Sequence, residues 1–272
     1  MTHSTRRLIP KYGVLLTLLL SSLLSSAFAQ FDNNSSSPYS LPDSRSATNP
    51  GFAPTPTARK GDYVIVSGGP ALREWEDLRV SRDQHDKWWG NFIRPARVRI
   101  AEIRKQAGPT ARITWLVHRP SYAARAKEEG RPLLSFIQSV QQKYGCKLIW
   151  FSTGDDFIKY INTGMDRNEW PVVNFEFFGH SNKYCLMFDY SNGASAVSAS
   201  WFHSSDIRKL NPKAFSRDAF CKSWGCHTGE AMSGTFASHI GVKFIGAIGK
   251  TDYRWIGDGK LPDLSAGGRW SN

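Results

Sequence analysis

The sequence predicts an α/β domain built as a three-layer sandwich, with a mostly parallel central sheet flanked by helices. Short apolar runs of strand length, such as 63–66 and 172–178, alternate along the chain with segments whose apolar residues recur at helical spacing. Strands that are separated by helices favour parallel pairing, and a parallel sheet is normally covered on both faces. Ligands of such sheets bind outside the carboxyl ends of the strands, so the residues that follow each strand are the first candidates for a functional site.

The elements are predicted in order from the apolar spacing and from the residues that end each segment. A Gly68-Gly69-Pro70 turn follows the first strand, Pro95 suits the first turn of a helix, and Gly145 suits a helix end. The glycine-rich tail from Gly257 onward is expected to be loose. The predicted strands are 63–66, 113–117, 148–151, 172–178, 184–188, 219–224 and 242–248. The predicted helices are 95–107, 133–144, 155–161, 204–210 and 230–240.

Residues 1–29 have the pattern of a signal peptide. Three basic residues precede an apolar stretch at 14–24, and Ala27-Phe28-Ala29 is a small-x-small cleavage site. The apolar stretch is shorter than a membrane-spanning helix needs, so no stable membrane anchor is expected. We therefore predict an exported protein, periplasmic or secreted after signal peptide cleavage near Ala29. The Arg6-Arg7 pair leaves a twin-arginine route open beside the general one.

Residues 30–59 and residues 60–272 differ in composition. The first segment is rich in Asn, Ser, Pro and Thr and has few large apolar residues, so we interpret it as a disordered linker. The second segment is long enough for one well-buried domain. Of the formal net charge of +12, the signal peptide contributes three positive charges. The densest basic stretch, 94–105, is interpreted as a solvated helix face or as a surface for an acidic partner, and without a nucleic-acid motif no nucleic-acid partner is predicted.

A cysteine and a histidine follow two of the predicted strands. Cys226 lies between the strand 219–224 and the helix 230–240, and His180 follows the strand 172–178. Parallel strands end at the same edge of a sheet, so the two side chains are expected to lie close together. A helix N-terminus and a nearby histidine lower the pKa of a thiol and supply thiolate, and the histidine can then protonate a leaving amine. The pattern therefore indicates thiolate chemistry.

The residues around this pair resemble the motifs of a known family. Gly179-His180 after one strand and Cys226-His227-Thr228-Gly229 after another are similar to the caspase-like cysteine peptidases, and to metacaspases in particular. The resemblance implies the caspase-haemoglobinase fold and hydrolysis of a protein or peptide substrate, with no cofactor and no metal. It implies that Cys226 is the nucleophile and His180 the general base and acid, while the backbone amides of Ser181 and Cys226 receive the oxyanion.

Two positions depart from the family pattern. Ser181 stands where the family usually has glycine, and Trp224 stands where metacaspases have an acid that helps to hold a basic substrate side chain. A preference for Arg or Lys therefore does not transfer to this chain. The main alternative function is a catalytically silent caspase-like domain that acts as a binding or regulatory module. Related thiol chemistry, such as transpeptidation, also stays open, and the oligomeric state is unknown.

Three other assignments of the cysteines and histidines are open. In the first, His227 replaces His180 as the base. The second is a disulfide, for which Cys185 and Cys221 are the first pair to test in an exported chain. The third is a zinc site, although the spacing lacks Cys-x-x-Cys pairs. Its candidate ligands are His180, Cys185, Cys221, Cys226 and His227.

The substrate pocket is expected beside the Cys/His pair, between the residues that follow the last strand and those that follow the first. Asp252 and Tyr253 are the leading candidates for its lining, and Ser67 and Gly68 are weaker ones. A carboxylate at Asp252 would favour a basic side chain on the substrate. The alternative is that Asp252 is a solvated turn residue.

Two charged residues lie inside the strands that carry the Cys/His pair. Side chains at two-residue intervals share a face, so Glu176 lies on the face of His180 and Lys222 on that of Cys226. An isolated buried charge is costly, so we expect adjacent, aligned strands in which Glu176 and Lys222 form an ion pair beneath the site. The alternative is that each side chain reaches solvent separately.

Overall fold

The computed structural model describes residues 59–81, 84, 87–191 and 199–271, which belong to one compact unit. The predicted signal peptide and the predicted linker, apart from Arg59, lie outside the described residues. Within the described ranges, no helix combines the length and the apolar character that crossing a membrane requires.

Strands and helices alternate over most of the chain, as the sequence predicts. In chain order the strands are β1 (Asp62–Ser67), β2 (Arg112–His118), β3 (Lys147–Phe151), β4 (Val172–Phe178), β5 (His180–Ser181), β6 (Cys185–Asp189), β7 (Ser200–His203), β8 (Phe215–Ser223), β9 (Phe244–Ile245), β10 (Ala247–Ile248), β11 (Thr251–Asp252), β12 (Asp263–Leu264) and β13 (Arg269–Trp270). The α-helices are α1 (Arg73–Asp77), α2 (Ile93–Ala107), α3 (Arg119–Glu129), α4 (Leu133–Tyr144), α5 (Gly154–Thr163) and α6 (Met232–Ile240). Short 3-10 helices span Ser204–Lys209, Pro212–Ala214 and Arg254–Asp258.

The central sheet has six strands in the order β3-β2-β1-β4-β8-β9, and every neighbouring pair is parallel. β1 and β4 are buried along their whole lengths, because they occupy interior positions in a sheet covered on both faces. This is why both strands appear in the sequence as mostly continuous apolar runs. β4 lies between β1 and β8, so its carboxyl end adjoins theirs.

Helices cover both faces of the sheet, as two successive residues of β4 illustrate. The ring of Phe175 lies 5.8 Å from that of Phe157 in α5 and 6.3 Å from that of Phe236 in α6, between centroids. The next residue, Glu176, accepts a hydrogen bond of 2.7 Å from Arg99 in α2. Since successive strand residues point to opposite faces, α2 lies on one side and α5 and α6 on the other. The predicted α/β class, with a parallel central sheet and helices around it, is confirmed.

A second, antiparallel sheet of β5, β6 and β7 begins at His180. The sequence predicts only its middle strand, as an added strand over 184–188. One of its faces is buried against the main core through Leu186, Phe188 and Phe202. This small sheet anchors the residues that immediately follow β4.

Helix α3 is not predicted by the sequence. Its buried residues are Ser121, Tyr122 and Arg125, so it lacks the apolar stripe that helical spacing would reveal. The Tyr122 hydroxyl donates to the carbonyl of Gly68 at 3.0 Å, and the Arg125 Nη2 donates to the carbonyl of Lys87 at 2.6 Å. Polar contacts, and not an apolar stripe, therefore attach this helix to its neighbours.

The prediction of one strand over 242–248 and a loose tail is wrong. The chain leaves the central sheet at Gly246, where a side chain would come within 2.5 Å of the Gly229 nitrogen. Beyond this point β10 pairs with β13 and β11 pairs with β12, both antiparallel. Gly267 has a φ of 80°, in the left-handed region that glycine enters without steric cost. Gly267 therefore permits a turn between β12 and β13, each of which pairs with an earlier strand.

The basic stretch 94–105 is not a solvated face at two of its positions, because Arg94 and Arg99 are buried. The Arg94 guanidinium lies 4.6 Å above the Trp88 ring and donates to the Gly257 carbonyl at 3.2 Å. These arginines bind groups inside the protein, so part of the positive charge is used for packing.

Candidate active site

His180 and Cys226 lie at the same edge of the central sheet. β4 and β8 are parallel neighbours, and Phe177 is opposite Ser223 near their carboxyl ends. His180 follows β4 by two residues, and Cys226 follows β8 by three. The fold thus brings together the two loops that carry the cysteine and the histidine.

Direct hydrogen bonds join these two loops. The Ser181 hydroxyl donates to the carbonyl of Cys226 at 2.7 Å, and the Trp224 amide donates to the carbonyl of Phe177 at 2.8 Å. A side chain at Gly225 would come within 2.1 Å of the Ser181 Oγ, so the close approach requires glycine there. Ser181, which departs from the family pattern, therefore has a structural role through its hydroxyl group.

The sulfur of Cys226 contacts Thr251, the first residue of β11. The Thr251 amide donates to Sγ at 3.4 Å, and the Thr251 Oγ1 lies 3.4 Å from Sγ. These contacts fix the position of the sulfur against the segment that follows β10. The sequence gives no signal for Thr251 beyond its position after the last predicted strand.

The prediction that Cys226 lies at a helix N-terminus is wrong. Residues 226–231 form turns, and α6 begins only at Met232. The turn is held by the His227 amide, which donates to the Gly249 carbonyl at 2.8 Å, and His227 has a left-handed φ of 63°. The residues after the strand pair with the 247–251 segment instead of starting the helix, so α6 does not present its N-terminus to the thiol.

The imidazole of His227 interacts with a neighbouring acid. Its Nδ1 lies 2.6 Å from Glu230 Oε1, and the Gly249 amide donates to the same oxygen at 3.1 Å. These two contacts, with that from His227 the stronger, hold the pKa of Glu230 below its usual range. His227 is thus engaged in fixing the turn.

Aromatic rings contact His180 from two sides. The centroid of its ring lies 5.1 Å from that of Phe92 and 4.7 Å from that of Tyr190, both in edge-on geometry. The Tyr190 hydroxyl donates to the sulfur of Met187 at 2.8 Å, and Met187 is paired with His180 across β5 and β6. These contacts restrict the orientation of the imidazole. The sequence does not single out either residue. Phe92 is distant from His180 along the chain, and Tyr190 lies outside the predicted elements.

Three of the four predicted pocket residues are buried within the described structure. The Ser67 hydroxyl donates to the carbonyl of Phe92 at 3.0 Å, and the Gly68 amide donates to that of Phe178 at 2.9 Å. The Tyr253 hydroxyl donates to the Trp224 carbonyl at 3.0 Å. These residues support the loops around the cysteine and histidine from inside.

Asp252 is half-buried and is bound by a nearby arginine. Arg254 donates to its carboxylate through the backbone amide at 2.9 Å and through Nε at 2.8 Å. A basic substrate side chain would have to compete with Arg254 for this carboxylate. The prediction that Asp252 selects a basic side chain therefore gains no support from the geometry.

Beneath the site, Glu176 and Lys222 lie opposite each other in register, as predicted. The carboxylate of Glu176, however, is bound by Arg99, which the sequence does not indicate as a partner. Arg99 donates through Nε at 2.9 Å and Nη2 at 2.7 Å, and the Trp224 indole donates at 2.8 Å. The predicted register is confirmed, and α2 adds a bidentate guanidinium on the same carboxylate.

The ammonium group of Lys222 lies between two indole rings. Its Nζ is 3.6 Å from the ring centroids of both Trp224 and Trp270, in cation–π contact. Burial lowers the pKa of Lys222 to about 7, with the charge of Arg99 acting in the same direction and those of Glu176 and Asp263 opposing it. Lys222 therefore changes charge near neutral pH.

Stability should rise with pH above neutrality because of Lys222. From about pH 7 to 10.5 the unfolded lysine holds a proton that the folded one has lost, so the free energy of unfolding should increase by about 1 kcal/mol per pH unit. Below pH 7 both states are protonated, and this contribution to the slope disappears. Urea unfolding of the Lys222→Met variant should show a flatter profile, whereas Lys105→Met, at an exposed position of α2, should keep the parent slope. Equal slopes in parent and Lys222→Met would contradict the assignment.

All four cysteines are free thiols, so the open alternative of a Cys185–Cys221 disulfide is not supported. Cys221 lies in β8 opposite Phe175 within the core, whereas Cys185 lies in the small antiparallel sheet. Burial raises the pKa of the thiol in Cys185 and in Cys221, and raises that of Cys146 to about 11. Burial thus disfavours the thiolate form of these three cysteines.

The predicted zinc alternative finds no support in the geometry. Among the residues that the structure describes, no three His, Cys, Asp or Glu side chains are grouped so that they could hold a metal ion. The site is therefore interpreted from its thiol, its imidazole and the backbone groups around them. Comparison of the chain with protein-family models, with curated proteins and with solved structures finds no match.

Proposed function

We propose that this chain is an exported, caspase-like cysteine peptidase that hydrolyses peptide bonds with Cys226 as nucleophile and His180 as general base and acid. The observation that carries the proposal is the joining of the two loops at the carboxyl edge of neighbouring parallel strands. Ser181, next to the histidine, donates a 2.7 Å hydrogen bond to the carbonyl of Cys226 itself. Ligands of parallel sheets bind at this edge.

The reaction begins when the Cys226 sulfur attacks the carbonyl carbon of a peptide bond. The thiol proton passes to His180, and a carbon–sulfur bond forms. The carbon–nitrogen bond then breaks, and His180 gives its proton to the leaving amine. Water, deprotonated by His180, attacks the thioester and releases the acid and the thiol. A peptide amine in place of water would give transpeptidation through the same thioester.

The thiol and the developing oxyanion need stabilising groups. The Thr251 amide, 3.4 Å from the sulfur, serves the thiolate. The oxyanion is assigned to the backbone amides of Ser181 and Cys226, which the hydrogen bond between the two loops keeps at one edge of the sheet. The orientation of His180 is set by the rings of Phe92 and Tyr190.

One observation favours the alternative of a catalytically silent binding module. α6 begins six residues after Cys226, so the thiol lacks the helix N-terminus that often activates such a nucleophile. In that case the same edge would bind a peptide without cleaving it. The two functions differ in a single measurable event, the formation of a covalent bond to sulfur.

The test is covalent labelling with a library of peptide acyloxymethyl ketones. The thiolate attacks the carbon beside the ketone, a thioether forms, and the carboxylate leaves. We expect mass spectrometry to find one label on Cys226 of the parent, no label on Cys226→Ala, and full labelling of Cys185→Ala, the matched control at another half-buried thiol.

The protein recovered from the exported fraction should begin at Gln30.

Reversible peptide binding without a label would favour the silent module. Labelling of Cys226 together with condensation of two peptides in preference to hydrolysis would favour a transpeptidase. An intact Met1 on the recovered protein would contradict cleavage of the predicted signal peptide.

A further inference from the structure

The space between the candidate catalytic histidine and the residues after the last predicted strand is filled by Phe92. Its ring centroid lies 5.1 Å from that of His180 and 5.2 Å from that of Tyr253, edge-on in both cases. Phe92 and Tyr253 are only 1% and 4% exposed. A substrate side chain was expected to enter this space, between the ends of the first and last strands.

Phe92 is held in this position from several sides. Its carbonyl accepts a 3.0 Å hydrogen bond from Ser67 at the end of β1. Two residues later, Arg94 donates to the carbonyl of Gly257 at 3.2 Å, and its guanidinium stacks on Trp88. The connection that carries Phe92 is thus fastened both to the sheet and to the segment that follows Tyr253. Moving the ring aside would disturb these contacts.

Two further aromatic rings lie at the carboxyl ends of β4 and β8. Trp224 stacks on Phe178 with centroids 5.7 Å apart and an interplanar angle of 5°. The Tyr253 hydroxyl donates to the Trp224 carbonyl at 3.0 Å, which fastens Tyr253 to the end of β8. Trp224 occupies the position at which metacaspases carry an acid. The carboxylate of Asp252 is already bound by Arg254, so neither position offers a free acid for a basic substrate side chain.

We infer that the peptidase accepts only a small side chain, that of glycine or alanine, on the residue whose carbonyl is attacked, and that Phe92 and Tyr253 enforce this restriction. The inference rests on the proposed function and names its substrate class. A large side chain would need the volume that the Phe92 ring occupies, and a charged one would lose its water in a space walled by aromatic rings. The side chain of a glycine or alanine does not need that volume and carries no charge that would lose its water.

The test compares four peptide acyloxymethyl ketones that differ only in the residue next to the ketone: glycine, alanine, leucine and lysine. The second-order rate constant of Cys226 labelling is measured on the parent and on Phe92→Ala. The parent should react at least about tenfold faster with the glycine and alanine probes than with the other two, the scale on which a pocket discriminates by size. Phe92→Ala should react faster with the leucine probe and narrow or reverse this ratio.

The matched control is Phe215→Ala. Phe215 is a buried aromatic residue at the start of β8, remote from the carboxyl edge, so its loss should leave the preference unchanged. Circular dichroism verifies folding, and Phe92→Val serves as a milder enlargement if Phe92→Ala does not fold. A parent that prefers leucine or lysine, or a Phe92 variant that keeps the parent ratios, would overturn the inference and leave the peptidase assignment standing. Failure of all four probes to label the parent would overturn the proposed function and this inference with it.

Discussion

Replacing His180 with alanine should reduce kcat/KM for a peptide substrate by about 10²- to 10⁴-fold, the usual contribution of a positioned acid or base. Two steps would lose their proton carrier: removal of the thiol proton and protonation of the leaving amine. The loss should be smaller for a thioester substrate, because a thiolate departs without protonation whereas an amine does not. Comparison of the losses in kcat/KM on the two substrates therefore distinguishes a residue that protonates the leaving amine from one that only supports the fold.

His227 provides the matched control for this experiment. It adjoins Cys226 in sequence, but its imidazole contacts Glu230, at 2.6 Å. His227→Asn should retain activity within a few-fold, and asparagine is among the residues that tolerate the left-handed φ of 63° at this position. If His227→Asn lost as much activity as His180→Ala, and lost less on the thioester, the base would be His227.

Replacing Arg99 with methionine should lower the free energy of unfolding by about 3–5 kcal/mol. Both members of the Arg99–Glu176 pair are buried, with side chains 2% and 0% exposed, and removal of one member leaves an uncompensated buried charge. Urea unfolding at pH 7, followed by circular dichroism, measures the change. An effect of this size would make Arg99 one of the principal determinants of stability beneath the candidate site.

The partner variant distinguishes the loss of the pair from the loss of packing. Glu176→Gln removes the buried charge and retains an acceptor for the Trp224 indole, which donates at 2.8 Å. In the double variant the second substitution should cost much less than it does alone, with a coupling of about 1–3 kcal/mol. Lys105→Met, on the exposed side of the same helix, should have little effect. Additive effects, or an Arg99→Met loss as small as that of Lys105→Met, would contradict this account.

Five of the six strands of the central sheet, namely β1, β2, β3, β4 and β8, could be predicted because each contains an apolar run with a distinct end. The same pattern gave the register of the two central strands, since Glu176 and Lys222 are each four residues before a candidate catalytic residue and do lie opposite each other. Strand periodicity and parallel pairing are local and geometric rules, and the interior of the sheet obeys both.

The groups that complete the site could not be predicted in this way. Arg99, Thr251 and Phe92 reach the site from distant segments, and nothing in their own sequence neighbourhoods distinguishes them. Arg99 appears in the sequence as one charge in a basic helix, and its burial depends on an acid in another element. Contacts of this kind depend on tertiary packing, which overrides the composition of a single segment.

The pairing of the 269–271 segment with the site has a consequence for the order in which the site is completed. Trp270 is one of the two indole rings that contact the Lys222 ammonium, and the Ser271 amide donates to the carbonyl of Gly246 at 2.8 Å. During synthesis, these residues leave the ribosome after every strand of the central sheet. A nascent chain that already contains Cys226 therefore still lacks the Trp270 ring and the Ser271 hydrogen bond. The carboxyl edge of the sheet, which carries Cys226, can gain these contacts only after all strands of the sheet have been synthesised.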